Sequence, residues 1–398
     1  MKNIARSSVA ALALVALFGL TACGGGDKPA AQPSPSQTQN QDTANKPEGW
    51  TSKLDASIGF PAGWNESAGW KASIDRNSLV SIGDYLAYLD NSKNKVFVVD
   101  AKGDKKFTTN DENQFDGTPS TSVSVVHKDG KAFLVTIQYG TSKVDPSSVK
   151  KAGEESMIHV FSTDMKEAWS KSLPNKVTAS NDALVVSGTS GESTITTLDV
   201  ETGDAKLLNP PAGYDWAGRF SGVDVYALQK ITDTGELTNG VWKYKAESSM
   251  GSGTTMPVAF GSVISVVRVS KTNVPKSCDL IDPSTGTTLD LGANSGACLS
   301  ARFSSPDGNY VYFEADHSKG VISLSGKQVF TITDDISFVP TAISNDGIVY
   351  GTSGSSVAVF DFKKDTEPKK MQDASSTPIM VASNGIAVSE SGYFAIKK

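Results

Sequence analysis

The sequence predicts an all-β fold made of repeated four-stranded antiparallel sheets. Three observations predict it. Short stretches rich in β-branched and aromatic residues recur along the chain, each broken by a Gly, Asp or Asn turn. The turns return every ~40–50 residues. No long amphipathic helical pattern intervenes.

The units read as follows. Unit one has SIGDYLAYL (Ser81 to Leu89) and VFVVDAKGDKKF (Val96 to Phe107). Unit two has VVHKDGKAFLV (Val125 to Val135) and MIHVFSTDMKEAW (Met157 to Trp169). Unit three has ASNDALVVS (Ala179 to Ser187) and TITTLDVETGDAKLL (Thr194 to Leu208). Unit four has FSGVDVYAL (Phe220 to Leu228) and VWKYKAESS (Val241 to Ser249). Unit five, the weakest copy, has AFGSVISVV (Ala259 to Val267) and CDLIDPSTGTTLDL (Cys278 to Leu291). Unit six has FSSPDGNYVYF (Phe303 to Phe313) and GVISLSGKQVF (Gly320 to Phe330). Unit seven has AISNDGIVYG (Ala342 to Gly351) and VAVFDFKKDTEPKKM (Val357 to Met371). Unit eight has VASNGIAVS (Val381 to Ser389) and a last strand at Tyr393 to Lys397. Asn-Gly and Asp-Gly favour the turns that join antiparallel strands.

One such sheet cannot bury both faces by itself. Stacking sheets around an axis buries each face on its neighbour, and the period is that of β-propeller blades. The expectation is one propeller over residues 79–398, of eight blades, or seven if a unit has been split wrongly. Unit eight lacks a fourth strand, which would leave an open edge. The stretch Trp70 to Asp75, just ahead of unit one, is expected to supply it.

FSSPDGNYVYF resembles the WD40-like repeat of TolB-type propellers, with one Ser inserted (Ser304-Ser305-Pro306). LDVETGDAKLL resembles the strand-turn-strand of quinoprotein-like propellers. The Gly-His and Trp-Asp pair of true WD40 blades is missing, as are the regular tryptophans of quinoprotein blades. The resemblance implies a fold and an envelope setting, and carries no functional residue across.

The N-terminus points to export. Lys2 and Arg6 precede an apolar run from Val9 to Leu20, too short to span a bilayer comfortably. It ends in Leu20-Thr21-Ala22-Cys23, which resembles the bacterial lipobox. That resemblance implies removal of residues 1–22 and a diacylglyceryl group on Cys23. It places the chain at the cell membrane on the extracytoplasmic side, or at an outer membrane in a Gram-negative host. Residues 23–48, rich in Pro, Gln and Ser, hold too little apolar surface to fold and read as a tether spanning roughly 25–30 Å. Residues 49–78 form a lead-in whose Trp50, Trp64 and Trp70 are expected to pack on the propeller.

Charged residues make up 20 % of the 398-residue chain and the formal charge is −6. Removing the signal takes away two cations, giving about −8, so a phosphate backbone is not an expected partner. Cys278 and Cys298 remain as an even pair in an exported domain and are expected to form a disulfide. His127, His159 and His317 show no ligand spacing, and no cofactor or metal is expected. TNDENQFDG (Thr109 to Gly117) has Phe115 where a calcium loop needs an oxygen, so it reads as a polar loop.

Candidate binding residues come from the longest predicted loops. They are Lys143, Asp145 and Lys151 in unit two, Asp233 and Glu236 in unit four, and Arg268 in unit five, with Tyr214, Trp216, Asp334 and Asp335 between units. The expected function is a binding or scaffolding module for an envelope protein or glycan. The alternative is a propeller hydrolase or lactonase using channel carboxylates such as Asp334-Asp335. A structural assembly role would need a flat apolar patch on one rim.

Overall fold

Among the described residues, eight sheets follow one another along the chain. Sheet one comprises Leu79–Ile82, Tyr85–Asp90, Lys95–Asp100 and Lys105–Thr109. Sheet two comprises Ser120–Lys128, Lys131–Thr141, Glu154–Phe161 and Glu167–Leu173; sheet three Val177–Ser180, Ala183–Val186, Ile195–Leu198 and Ala205–Leu208. Sheet four holds Tyr214–Phe220, Val223–Leu228, Gly235–Thr238 and Val241–Tyr244, and sheet five Val258–Phe260, Val263–Val269 and Pro275–Ile281. Sheet six holds Ser300–Ser304, Tyr310–Ala315, Ser318–Ser323 and Gln328–Ile332; sheet seven Val339–Ile343, Ile348–Ser353, Ser356–Asp361 and Lys369–Lys370. Sheet eight has Pro378–Val381, Ala387–Ser389, Tyr393–Ala395 and, from the N-terminal side, Gly69–Lys71. The fold is the expected all-β propeller, and among the described residues the helical elements are short 3-10 turns. This computed structural model describes residues 45–398 except 56–57, 65–67, 110–113, 144–152, 188–194, 211, 213, 229–234, 239–240, 245–257, 270–274, 292–298, 316–317 and 333–335. Cys23 and the tether as far as residue 44 therefore lie outside the described residues, as do Asp145, Lys151, Asp233, Cys298, His317, Asp334 and Asp335.

The strands follow from their residues. Val96, Phe97, Val98 and Val99 are all buried, so KVFVVD reads as a near-continuous apolar run with neighbours on both faces. The outer strand EAWSKSL faces solvent along most of its length. An acid closes several third strands. Asp100, Asp199, Asp282 and Asp361 each accept a hydrogen bond from the backbone N–H two residues on, at 2.8–3.1 Å. Burial alone would raise these carboxyls. The donors around them, joined by Lys106, Lys128 and Lys364 at three of the four, more than offset burial and hold each below the ordinary aspartate value.

Neighbouring sheets bury their faces on one another. Ile82 and Val98 meet Val123 and Leu134 between sheets one and two. Ile137 and Val160 meet Leu184 and Leu198 between two and three. Phe260 and Leu280 meet Phe313 and Ile322 between five and six, and Tyr312 meets Val349 and Phe360 between six and seven. The ring closes where sheet eight meets sheet one. Gly69, Trp70 and Lys71 pair antiparallel with Ala395, Phe394 and Tyr393 as the outer strand that unit eight lacks. A Cβ on Gly69 would stand 1.9 Å from the Phe394 carbonyl oxygen, so this strand approaches closely only because the residue is glycine.

The tryptophans of the lead-in pack on the propeller, as expected. Trp70 is 1 % exposed, stacks on Phe394 at 4.8 Å between centroids, and donates its Nε1–H to the Tyr88 hydroxyl at 3.0 Å. Burial pushes the Tyr88 phenol upward. Trp50 stacks on Trp70 at 6.0 Å. Trp64 sits edge-on to Tyr350 and donates to the Gly385 carbonyl at 3.0 Å.

Sheet four departs from the predicted meander. Val241–Tyr244 takes the third place, paired parallel to Val223–Leu228 through Val225 and Trp242. Gly235–Thr238 becomes the outermost strand. The predicted loop containing Glu236 is thus partly an edge strand.

Candidate functional site: the axial channel

In a propeller the first strand of each sheet lines the axis. Here those strands and their turns surround two cavities. The larger, about 380 Å³, is lined from sheets one, two, six, seven and eight. The smaller, about 210 Å³, is lined from sheets two, three, four and five. Val125 borders both, so the two share one wall.

The larger cavity has apolar walls: Leu79, Val80, Ile343, Ile379, Met380 and Val381. Ser81, Ser304, Ser305 and Thr341 add hydroxyls. Ser81 and Thr341 tie sheets together, since Ser81 Oγ accepts from the Ser383 N–H at 2.9 Å and Thr341 Oγ donates to the Pro378 carbonyl at 2.8 Å. Among the described residues no carboxylate lines this cavity, and one cation does: Arg76.

Arg76 lies in a 3-10 turn, Arg76–Ser78, immediately before the first strand of sheet one. Asp75 caps that turn by accepting the Asn77 N–H at 2.7 Å. The Arg76 side chain then reaches across to two other sheets. Its Nη2 donates to the carbonyl of Thr341 in sheet seven. Its guanidinium carbon stands 4.8 Å from the centroid of the Phe303 ring in sheet six. Both partners are neutral.

At the smaller cavity a carboxylate ties three sheets together. Asp182, in the first turn of sheet three, accepts the His127 N–H at 2.8 Å and lies 2.9 Å from His127 Nδ1. It also accepts the Ser221 N–H of sheet four. Corresponding turns are linked from sheet five round to sheet one. Ser262 N–H donates to the Gly308 carbonyl at 3.1 Å, Asp307 N–H to Asn345 at 3.1 Å, and Asn345 Nδ2 to Ser383 Oγ at 3.0 Å. Gly261, at φ +62, lies where a Cβ would meet the Gly308 oxygen at 2.4 Å.

A second charged group sits between sheets two, three and four around a cavity of about 130 Å³. Its ions are matched. Arg219 holds Asp224 through two nitrogens at 2.9 and 3.1 Å, while Lys128 bridges Asp199 at 2.7 Å and Glu201 at 2.9 Å. Hydrogen bonds to Asp199 and Glu201 push the Lys128 ammonium up, and Lys131 and Lys128 pull Glu201 down. Matched ions of this kind organise turns.

The structure redistributes the residues predicted for the rim. Lys143 is exposed just after the second strand of sheet two. Tyr214 and Trp216 lie within the first strand of sheet four, not between units, and Trp216 Nε1 donates to Asp224 at 3.3 Å. Arg268 pairs with Ser277 inside a strand of sheet five that runs past the predicted loop start. Glu236 is in the outer strand of sheet four. Paired backbone accounts for all three corrections: these stretches satisfy their N–H and C=O groups in a ladder. His159, in its strand, meets Glu167 at 2.7 Å. Cys278 is buried in the third strand of sheet five. Its predicted partner is outside the described residues, so that pairing stands as a proposal. Phe115 is buried and bridges to Ser142. Arg76 carried no sequence signal beyond its place after a capping Asp.

No family model matches this chain, and no curated protein matches it in sequence. Among solved structures it is similar to the Myceliophteria thermophila Cps50 (Swd1) β-propeller domain, at 11 % identity and TM-score 0.38, covering 80 % of this chain and 95 % of that one. It is also similar to the Porphyromonas gingivalis dipeptidyl peptidase 4, at 13 % identity and TM-score 0.34, covering 71 % of this chain and 50 % of that one. For the Pyrococcus horikoshii acylaminoacyl peptidase the figures are 11 %, 0.35, 77 % and 46 %. Likenesses this distant say nothing about activity.

Proposed function

We propose that this chain is a lipid-anchored extracytoplasmic β-propeller that acts as a binding module, with the axial channel as its receiving site. The observation that supports the reading is the wall of the larger cavity: apolar side chains, hydroxyls and one arginine. A channel hydrolase would need a carboxylate held protonated near neutrality beside one held ionised. Instead, every described carboxylate with a resolved shift moves down: Asp100, Asp164, Glu167, Asp199, Glu201, Asp282 and Asp361. These are ionised groups engaged with donors, suited to holding turns. The address rests on Leu20-Thr21-Ala22-Cys23, because a thioether-linked diacylglycerol buries many methylenes at about 0.8 kcal/mol each.

Two measurements test the two halves. Radiolabelled palmitate fed to expressing cells is expected to enter the wild-type chain and not Cys23→Ser, which should leave the membrane fraction. Equal labelling of the two ends the anchor. Cross-linking on intact cells is expected to capture a ligand or partner in a manner blocked by Ser304→Trp, which fills the cavity from an exposed position. Capture unchanged by that substitution removes the channel from the reading.

A further inference from the structure

Resting on that reading, we infer that the Arg76 end of the larger cavity receives a small monocarboxylate with an apolar body, the guanidinium gripping the carboxylate. Several other cations beside the cavities are matched by acids, while Lys71, on the outer side of sheet eight, stands over the Tyr393 ring. Lys128 and Lys131 share Glu201, Arg219 holds Asp224, and Lys93 stands 3.1 Å from Glu48 and 3.3 Å from Asp90. Arg76 has a carbonyl and an aromatic ring, and among the described residues no carboxylate. A guanidinium has five N–H donors in a fixed fork that fits a carboxylate through two parallel bonds. One donor group on Thr341 and one face on Phe303 hold the side chain at the cavity and leave donors over.

The charge of the ligand follows from the wall. Among the described residues one cation and no other charged group lines the cavity, so a monoanion is compensated, whereas a dianion would carry an unpaired charge against the apolar wall. Its body follows from Val80, Ile343, Ile379, Met380 and Val381, which offer dispersion contact and no polar partner. Its size follows from the volume, about 380 Å³, at the small end of the ~300–1,000 Å³ typical of small-molecule sites.

The probe is 3-phenylpropionate, titrated calorimetrically into the full chain. Acetate, 3-phenylpropanol and 3-phenylpropylamine are the comparison compounds. Saturable binding of 3-phenylpropionate is expected, with the alcohol at least ten-fold weaker and acetate and the amine silent. Arg76→Gln should weaken the acid by roughly ten-fold or more, the usual cost of losing a hydrogen-bonded charge. Arg76→Lys should fall between, keeping the charge without the fork. Ser304→Trp should abolish binding. Equal affinity of the acid for wild type and a folded Arg76→Gln overturns the inference. If Arg76→Gln fails to fold, acid against alcohol on the wild type decides instead, and equal affinities overturn it. Should the alcohol bind as well as the acid and Ser304→Trp remove both, the anion assignment falls and the channel reading stands. Should neither bind the wild type, the inference falls, and the cross-linking test alone decides the channel reading.

Discussion

Among the described residues, the seam between sheets eight and one and the boundary between sheets four and five are lined differently. At the first, Trp70, Tyr88, Phe97 and Phe394 form one contiguous aromatic group of stacked and tilted rings, buried with Leu86, Val99, Ile386 and Val388. At the second, the described residues of the two sheets meet around the 210 Å³ cavity, where Phe220 and Ser221 face Ala259 and Gly261. The difference teaches what closes a ring. Sheets four and five are consecutive along the chain, so covalent connection keeps them near. Sheets eight and one come from opposite ends of the folded unit, and bringing them together costs the closure entropy of the whole loop. Dense apolar and aromatic contact offsets that cost, and the borrowed strand removes an exposed sheet edge.

The largest effect is expected at the seam. Trp70→Ala should destabilise the fold by about 3–5 kcal/mol, because the indole is buried and bonded to Tyr88. Urea unfolding measures it, and a loss near that of an ordinary surface substitution would mean the ring closes by other contacts. Next along the chain from the second region, the proposed bond between Cys278 of sheet five and Cys298 closes a loop of about 20 residues and should contribute about 3 kcal/mol in the chain-entropy model. Mass spectrometry before and after reduction, with melting curves of Cys278→Ser, tests this. Alkylation of both Cys278 and Cys298 in the unreduced chain would show that sheets five and six do without it. Acid should produce the smallest and most evenly spread effect. Asp100, Asp199, Asp282 and Asp361 have folded pKa values below their unfolded ones. Their contribution is complete above the unfolded value near 3.9 and is lost as pH falls through the folded values. The melting temperature should therefore stay level from pH 7 to about 5 and fall below about 4. A decline beginning near pH 6 would show that these four aspartates do not set the acid limit.

Much of the fold was legible. Asp-Gly at Asp129-Gly130 and Asp307-Gly308, and Asn-Gly at Asn384-Gly385, mark turns between first and second strands. The missing strand of unit eight was traced to the stretch containing Trp70 by counting strands. The swap in sheet four was not foreseen, although Asn239-Gly240 stands between its last two strands and is itself a hairpin signal. The expected loop QKITDTGELTNG contains both that signal and Glu236, which the structure places in the outer strand. Tyr214, Trp216 and Arg268 were misplaced because strand ends have no sharp signal where polar and aromatic residues alternate.

By itself the sequence determined the repeat, the turns and the acids that hold them, because these depend on residues a few positions apart. It also carries Leu20-Thr21-Ala22-Cys23, on which the proposed anchor rests. Only the tertiary structure decided which side chains share the channel. Arg76 meets the carbonyl of Thr341 from 265 residues away, and the Phe303 ring from another sheet again. No local pattern encodes that meeting, since it depends on where eight sheets bring their first strands together around one axis.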